Sequence, residues 1–342
     1  MNRPSRRSSA LAWCAVTLAV ACLSSCALGS PAANSATVGV ANRASDLTVI
    51  VDGLDHPTQI ADGPDATLLI AQLAGEENDR SGEVLVVDSA AGTRRVVMHG
   101  LDKPTGVLWD RGVLWVMVRR GLVKADWPDA TSEVGPTTIV LGDLPFNGRS
   151  EGTLTLLNDG RFLYETSGNI IDGDVEEASG TLWAFDPSTG TSSVVATGIK
   201  NGYGHALLDN GGIVTTDIGD NIDDPPVEEL DVVHPNSRPF DLGWPRCPGD
   251  TDCAGVVRPL AVFAPTTTPT GVAVIGGDVY VALFVTGQLM RVPLAGWRPG
   301  DAPRVAVEIA HGLAGPHTIL ARPDGTLWIS EHLAGQIVAI TP

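Results

Sequence analysis

The densest chemistry in the chain lies between residues 217 and 231, where Asp217, Asp220, Asp223, Asp224, Glu228, Glu229 and Asp231 crowd one short stretch. Hard cations such as calcium take carboxylates together with backbone carbonyls. Gly219 permits a tight bend beside Asp220, and Pro225 and Pro226 hold the stretch open. Gly219, Asp220 and Asp224 therefore form a candidate calcium set. The spacing is not that of an EF-hand loop, which needs glycine at its sixth position. A solvated acidic loop is the alternative reading.

Proton transfer needs a group such as imidazole or carboxylate held against its substrate. His205 and Glu151 are the candidates, each at the start of an apolar run, and His317 stands in the same kind of place. Each histidine is either catalytic or satisfied by a backbone carbonyl. The pair Glu331-His332 reads as a surface pair. Arg149 and Lys200 are cations near these starts and suit an anionic group, with Asn201 beside them. No Gly-rich nucleotide loop, Gly-x-Ser-x-Gly elbow or His-Glu-x-x-His helix occurs.

These residues are carried on a repeat. A Pro or Gly, an alternating apolar run, a Gly/Asp/Asn turn and a second apolar run recur six times, from His56, Lys103, Glu151, Gly202, Pro269 and Gly315. The spacing of roughly 45–50 residues, stretched once to about 67, falls in the range of propeller blades. Most copies are followed by a further apolar run, such as Glu83–Asp88. One small sheet cannot bury both faces alone, but radial packing covers them. The expectation is an all-β, six-bladed β-propeller over residues 47–342. Its innermost strands begin at Pro57-Thr58-Gln59, Pro104-Thr105, Glu151-Gly152, Gly202-Tyr203-Gly204-His205, Pro269-Thr270 and Pro316-His317. Long acidic loops at residues 76–80, 168–177 and 217–231 follow second strands and share one face with those starts. Trp109, Trp115, Trp183 and Trp328 fall inside strand phrases and are expected in the core, and Trp244 in packing.

The first 25 residues read as an export signal, with Arg3, Arg6 and Arg7 before an apolar run from Leu11 to Leu23. The run is too short to span a bilayer comfortably. It ends Leu23-Ser24-Ser25-Cys26, which resembles the bacterial lipobox, so Cys26 is the expected lipidation site. An ordinary signal peptide with Cys26 incidental is the alternative. Arg6-Arg7 hints at twin-arginine export, although Ser9 sits where that signal prefers an apolar residue. Residues 26–46, rich in Ala, Ser and Asn, read as a tether. This places the chain in the cell envelope, held to the membrane by its lipid alone. Of five cysteines, Cys247 and Cys253 are the two in the body, and in an oxidising compartment they are expected to pair. The net charge of −18 argues against a nucleic-acid partner, which needs a basic face.

The segments GIKNGYG from Gly198, VTTDIGDNIDDPPVEELDVV from Val214 and GWPRC from Gly243 together resemble the pyrroloquinoline-quinone (PQQ)-dependent glucose/sorbosone (aldose sugar) dehydrogenases. That resemblance implies a six-bladed propeller, PQQ and calcium as cofactors, and a sugar or related alcohol or aldehyde as substrate. Lys200 takes the place of the family's arginine, losing its bidentate fork, and Asn201 is kept. The family's catalytic histidine falls at Arg149 or a near neighbour, and arginine cannot accept a proton at neutral pH. The resemblance thus leaves His205 or Glu151 as base, with Arg149, Lys200 and Asn201 toward the cofactor. A second reading keeps the scaffold without the chemistry. In it a propeller binds a small anionic or sugar ligand, or a protein partner, at a cationic spot ringed by acidic loops. A calcium-dependent lactonase of the gluconolactonase type ranks last, since no such ligand set is found.

Overall fold

The computed structural model describes residues 47–149, 151–219, 227–235, 239–249 and 252–342. Cys26, the signal, the tether, Asp220 and Asp224 lie outside the described residues. The body is an all-β, six-bladed propeller, with one 3-10 turn at Pro64–Ala66. From axis to rim the first blade runs Pro57–Asp62, Leu68–Gln72, Gly82–Asp88 and Thr93–Leu101. The second runs Gly106–Asp110, Val113–Val118, Gly121–Asp126 and Thr138–Leu141. The third runs Thr155–Leu156, Phe162–Thr166, Thr181–Asp186 and Thr191–Thr197, and Phe240–Asp241 joins its rim in parallel. The fourth runs Gly202–Leu207, Ile213–Asp217, Glu228–Val233 and Ala261–Phe263. The fifth runs Pro269–Ile275, Asp278–Leu283, Gln288–Pro293 and Val307–His311.

The sixth blade has only three strands of its own in chain order: Pro316–Ala321, Leu327–Glu331 and Gln336–Ile340. Its rim strand is Thr48–Val51 from the other end of the propeller, antiparallel to Gln336–Ile340. This closure ties the first strand of the body to the last.

Strand alternation then builds the core. In the first blade Leu69 and Ala71 face the second blade, while Leu68 and Ile70 face the sixth. The same division holds around the axis, so the six apolar clusters each lie between two neighbouring blades. Between the second and third, Trp115, Phe162 and Phe185 pack with centroids 5.1–5.7 Å apart. Trp115 is buried, while Trp109, Trp183 and Trp328 are half-buried against these clusters.

Near the axis the inner strands touch directly. A Cβ on Gly152 would stand 2.7 Å from the carbonyl oxygen of Tyr203, and one on Gly271 2.7 Å from Thr318 Cα. Only glycine permits that approach. Threonines beside these glycines link one blade to the next. Thr58 Oγ1 donates to Pro104 O at 2.8 Å, Thr105 Oγ1 to Gly152 O at 3.3 Å, and Thr270 Oγ1 to Pro316 O at 2.9 Å. Thr155 Oγ1 donates to His205 O at 3.2 Å, Thr216 Oγ1 to Thr270 O at 3.1 Å, and Thr318 Oγ1 closes the circle on Thr58 O at 2.9 Å.

Candidate functional site

The axial strand starts surround a cavity of about 340 Å³ at one end of the channel. Its floor is formed by Thr58, Thr105, Tyr203, Thr270 and His317, one residue from each of five inner strands or their leads. The residues just before several strands line its wall: His56, Lys103, Asn201 and Thr268. The loop holding Gly75, Glu76 and Glu77 and the rim residue Arg149 complete the polar part, and Leu73, Ile218, Phe284 and Leu333 the apolar part.

Three imidazoles lie together, running from the floor up one wall. His317 and His332 stack with centroids 5.0 Å apart at 18°, and His56 lies 4.9 Å from His332. The Tyr203 hydroxyl is 2.9 Å from His317 Nδ1, and Phe284 presents an edge to both His317 and His332. His332 Nδ1 lies 3.2 Å from Pro57 O. Burial disfavours the imidazolium form, holding His317 well below its ordinary value and His332 at about 4. Both are therefore neutral near pH 7. The surface pair expected at Glu331-His332 is corrected here. Glu331 is buried, accepting the Ala314 N–H at 2.7 Å, because the residue 314–315 turn folds over it.

Beside the imidazoles stands the Lys103 ammonium, 5% exposed and paired with Glu77 from the rim loop. Glu77 is 53% exposed, and its carboxyl is held below the usual range chiefly by Lys103. Sequence reasoning passed over Lys103. Its signal was present, since Lys103-Pro104-Thr105 repeats the His56-Pro57-Thr58 phrase and puts both side chains on the same wall.

The other candidates are distributed as follows. Asn201 lines the cavity, buried, with Nδ2 donating to Ile218 O at 3.2 Å and Oδ1 accepting from Asn147 at 2.8 Å. Arg149 is exposed at the mouth. The chain bends at Lys200, just before the strand, and its side chain turns away from that of Asn201. Its ammonium donates to Gly168 O at 3.0 Å and lies 4.9 Å from the Trp244 ring, outside the cavity lining. His205, two residues farther along the strand from Tyr203, lines a separate space of about 30 Å³ lower in the channel. Burial holds it at about 3, with Thr153 Oγ1 3.5 Å from Nδ1 and no hydrogen-bond partner for Nε2 among the described residues. Glu151 is fully buried outside the cavity lining. It accepts the Arg120 N–H at 3.1 Å, and burial pushes it up to about 7.

The acidic stretch is not a solvated loop where it is described. Strand alternation turns Asp217, Glu229 and Asp231 toward the third blade, where Glu165 faces them above the apolar pair Leu163 and Ile213. All four carboxyls are buried. Asp217 accepts the Lys200 and Asn201 N–H groups, and Glu229 that of Gly249. Burial first, and then neighbouring carboxylates, push Asp217 up to about 7 and Glu165, Glu229 and Asp231 well above the ordinary range. Gly219 packs against the Val227 backbone. Among the described residues, no group of His, Cys, Asp or Glu is arranged to hold a metal ion. Cys247 and Cys253 form a disulfide, with Cα atoms 6.5 Å apart, beside the Trp244 turn.

No protein-family model matches the sequence, and no curated protein matches it. Its fold is that of solved sugar dehydrogenases. The PQQ-bound aldose sugar dehydrogenase of Streptomyces coelicolor superposes with a TM-score of 0.71 at 18% identity, over 86% of this chain and 97% of that one. The PQQ domain of Coprinopsis cinerea pyranose dehydrogenase gives 0.66 at 16%, over 86% and 95%. The apo soluble aldose sugar dehydrogenase of Escherichia coli gives 0.63 at 15%, over 86% and 98%. What these proteins share with the chain is the six-bladed propeller.

Proposed function

We propose that the chain is a lipid-anchored envelope propeller, held by Cys26, whose upper cavity binds a small sugar-like ligand without holding a quinone. The observation behind this reading is the cavity itself. Its volume of about 340 Å³ lies at the lower end of the ~300–1,000 Å³ typical of small-molecule sites. Threonine, tyrosine, asparagine and imidazole groups alternate with Phe284 and leucines, which suits a molecule with hydroxyl edges and apolar faces.

The second reading is a PQQ- and calcium-dependent sugar dehydrogenase, favoured by the fold shared with three solved sugar dehydrogenase structures, one of them PQQ-bound and one a PQQ domain. The residues present do not fit that cofactor. A quinone bearing several carboxylates needs an excess of cations. In the lining Lys103 and Arg149 are offset by Glu76 and Glu77, while the Lys200 ammonium is directed at Gly168 and Trp244. The candidate bases His205 and Glu151 stand outside the cavity. Equilibrium dialysis of the purified chain against PQQ and calcium, with calorimetry against a panel of aldoses and sugar acids, separates the readings. The binding reading expects no retained quinone absorbance and saturable heat with at least one sugar. Stoichiometric quinone with dye-linked aldose oxidation would overturn it.

A further inference from the structure

Resting on that reading of the cavity, we infer that its ligand is a sugar acid, whose single carboxylate displaces Glu77 from Lys103 while its hydroxyls donate to a floor of threonine oxygens. The floor has a fixed hydrogen-bonding sense. Thr58 Oγ1 gives its proton to the Pro104 or Ala71 carbonyl, at 2.8 and 3.1 Å. Thr105 gives its own to Gly152 O at 3.3 Å, and Thr270 to Pro316 O at 2.9 Å. A hydroxyl has one proton and two lone pairs. With their protons committed to these carbonyls, the three threonines that line the cavity bring it no hydroxyl donor. A ligand lying on them must bring donors, and a polyhydroxylated molecule does so in series.

The charge at the wall has the opposite sense. Lys103 is 5% exposed, lines the cavity, and carries three N–H donors. Glu77 is its partner there, reaching in from a rim loop whose carboxylate is 53% exposed. A buried ammonium needs an anion beside it, and here the anion is held on the surface side. Glu77 occupies the place a ligand carboxylate would take, and water can solvate it once it is released. The two neutral imidazoles and the Tyr203 hydroxyl near Lys103 add polar partners without adding charge. One buried cation beside a floor without hydroxyl donors selects one carboxylate and several hydroxyls.

The test titrates the full chain with galacturonate and with galactose by calorimetry, in the parent and in Glu77→Gln. The inference expects galacturonate to bind more tightly than galactose in the parent. Glu77→Gln removes the competitor and should tighten galacturonate roughly twofold to fivefold, the range of a part-exposed ion pair, widening its margin over galactose. Lys103→Met should lose the preference and Lys103→Arg keep it. Glu77 is half-exposed, so its variant tests the exchange even if Lys103→Met does not fold. Equal affinities for acid and neutral sugar in both proteins would overturn the exchange while leaving the sugar site standing. Heat from neither ligand would overturn the site itself.

Discussion

Gln59 holds three blades with one side chain. Its Oε1 accepts the Val107 N–H at 2.7 Å and the Leu154 N–H at 3.0 Å, and its Nε2 donates to Leu154 O at 2.8 Å. The side chain is 8% exposed and held between the blades. Each buried group left unpaired costs about 1–3 kcal/mol. Gln59→Leu should therefore destabilise the protein by about 3 kcal/mol or more, measured by urea unfolding. Gln59→Glu should also destabilise, because a carboxylate cannot donate to Leu154 O. A change within about 0.5 kcal/mol for both variants would show that the three contacts do not carry the joint. Residue type and position near Pro57-Thr58 placed Gln59 at the axis from sequence alone. Its bonds to the second and third blades were not legible, because they depend on how closely the blades pack. Lys200 shows the same limit: its place beside Asn201 was readable, while its direction was set by Gly168 and Trp244 across the turn.

At the scale of the strand, the phrase Pro-Thr-Gly describes a blade joint. Proline or glycine opens the inner strand, threonine reaches the neighbouring blade, and glycine lets the two backbones touch. Gly271 is the sharpest case, since its added Cβ would meet Thr318 Cα at 2.7 Å. The obstacle is backbone, so relief requires the fifth and sixth blades to separate. Overpacking of this kind costs typically about 1–3 kcal/mol. Gly271→Ala should lower the denaturant midpoint accordingly, whereas Gly277→Ala, in an open hairpin turn with positive φ, should show only local turn strain. If the two variants lose the same stability, the crowding at the axis is not what glycine relieves. The six-fold phrase made most blades legible, because alternation and turns recur at a fixed interval. The rim strand Thr48–Val51 was not, because its partner lies at the far end of the body and nothing local marks the pairing. The acidic stretch misled for a related reason. Asp217, Glu229 and Asp231 have loop-like composition, yet they lie in strands because Val214, Leu230 and Val232 anchor the other face.

Across the whole molecule, those buried carboxyls set how stability follows pH. Burial pushes Glu151, Asp217 and Glu228 up to about 7, against 4.5, 3.8 and 4.5 for the free groups. Glu165, Glu229 and Asp231 are pushed well above their ordinary range. Between the unfolded and folded values the native state holds protons that the unfolded chain has released. Stability then falls as pH rises. The histidines act with the opposite sign. His205, at about 3, and His332, at about 4, stay neutral in the native state, while the unfolded chain binds protons below 6.5. Their contribution grows from about pH 3 for His205, and about pH 4 for His332, up to 6.5 and levels off above it. The two trends oppose each other in mild acid, but above pH 6.5 the carboxyls act alone. The melting temperature should therefore decline from pH 6.5 through 7.5 to 8.5 at constant ionic strength. Asp231→Asn removes one titrating group from the seam between the third and fourth blades, where neither carboxyl oxygen has a hydrogen-bond partner among the described residues. That variant should show a shallower decline than the parent. A melting temperature that holds level or rises from pH 6.5 to 8.5 would mean that these carboxyls are ionised in the folded protein, and the seam would then need a cation to offset them.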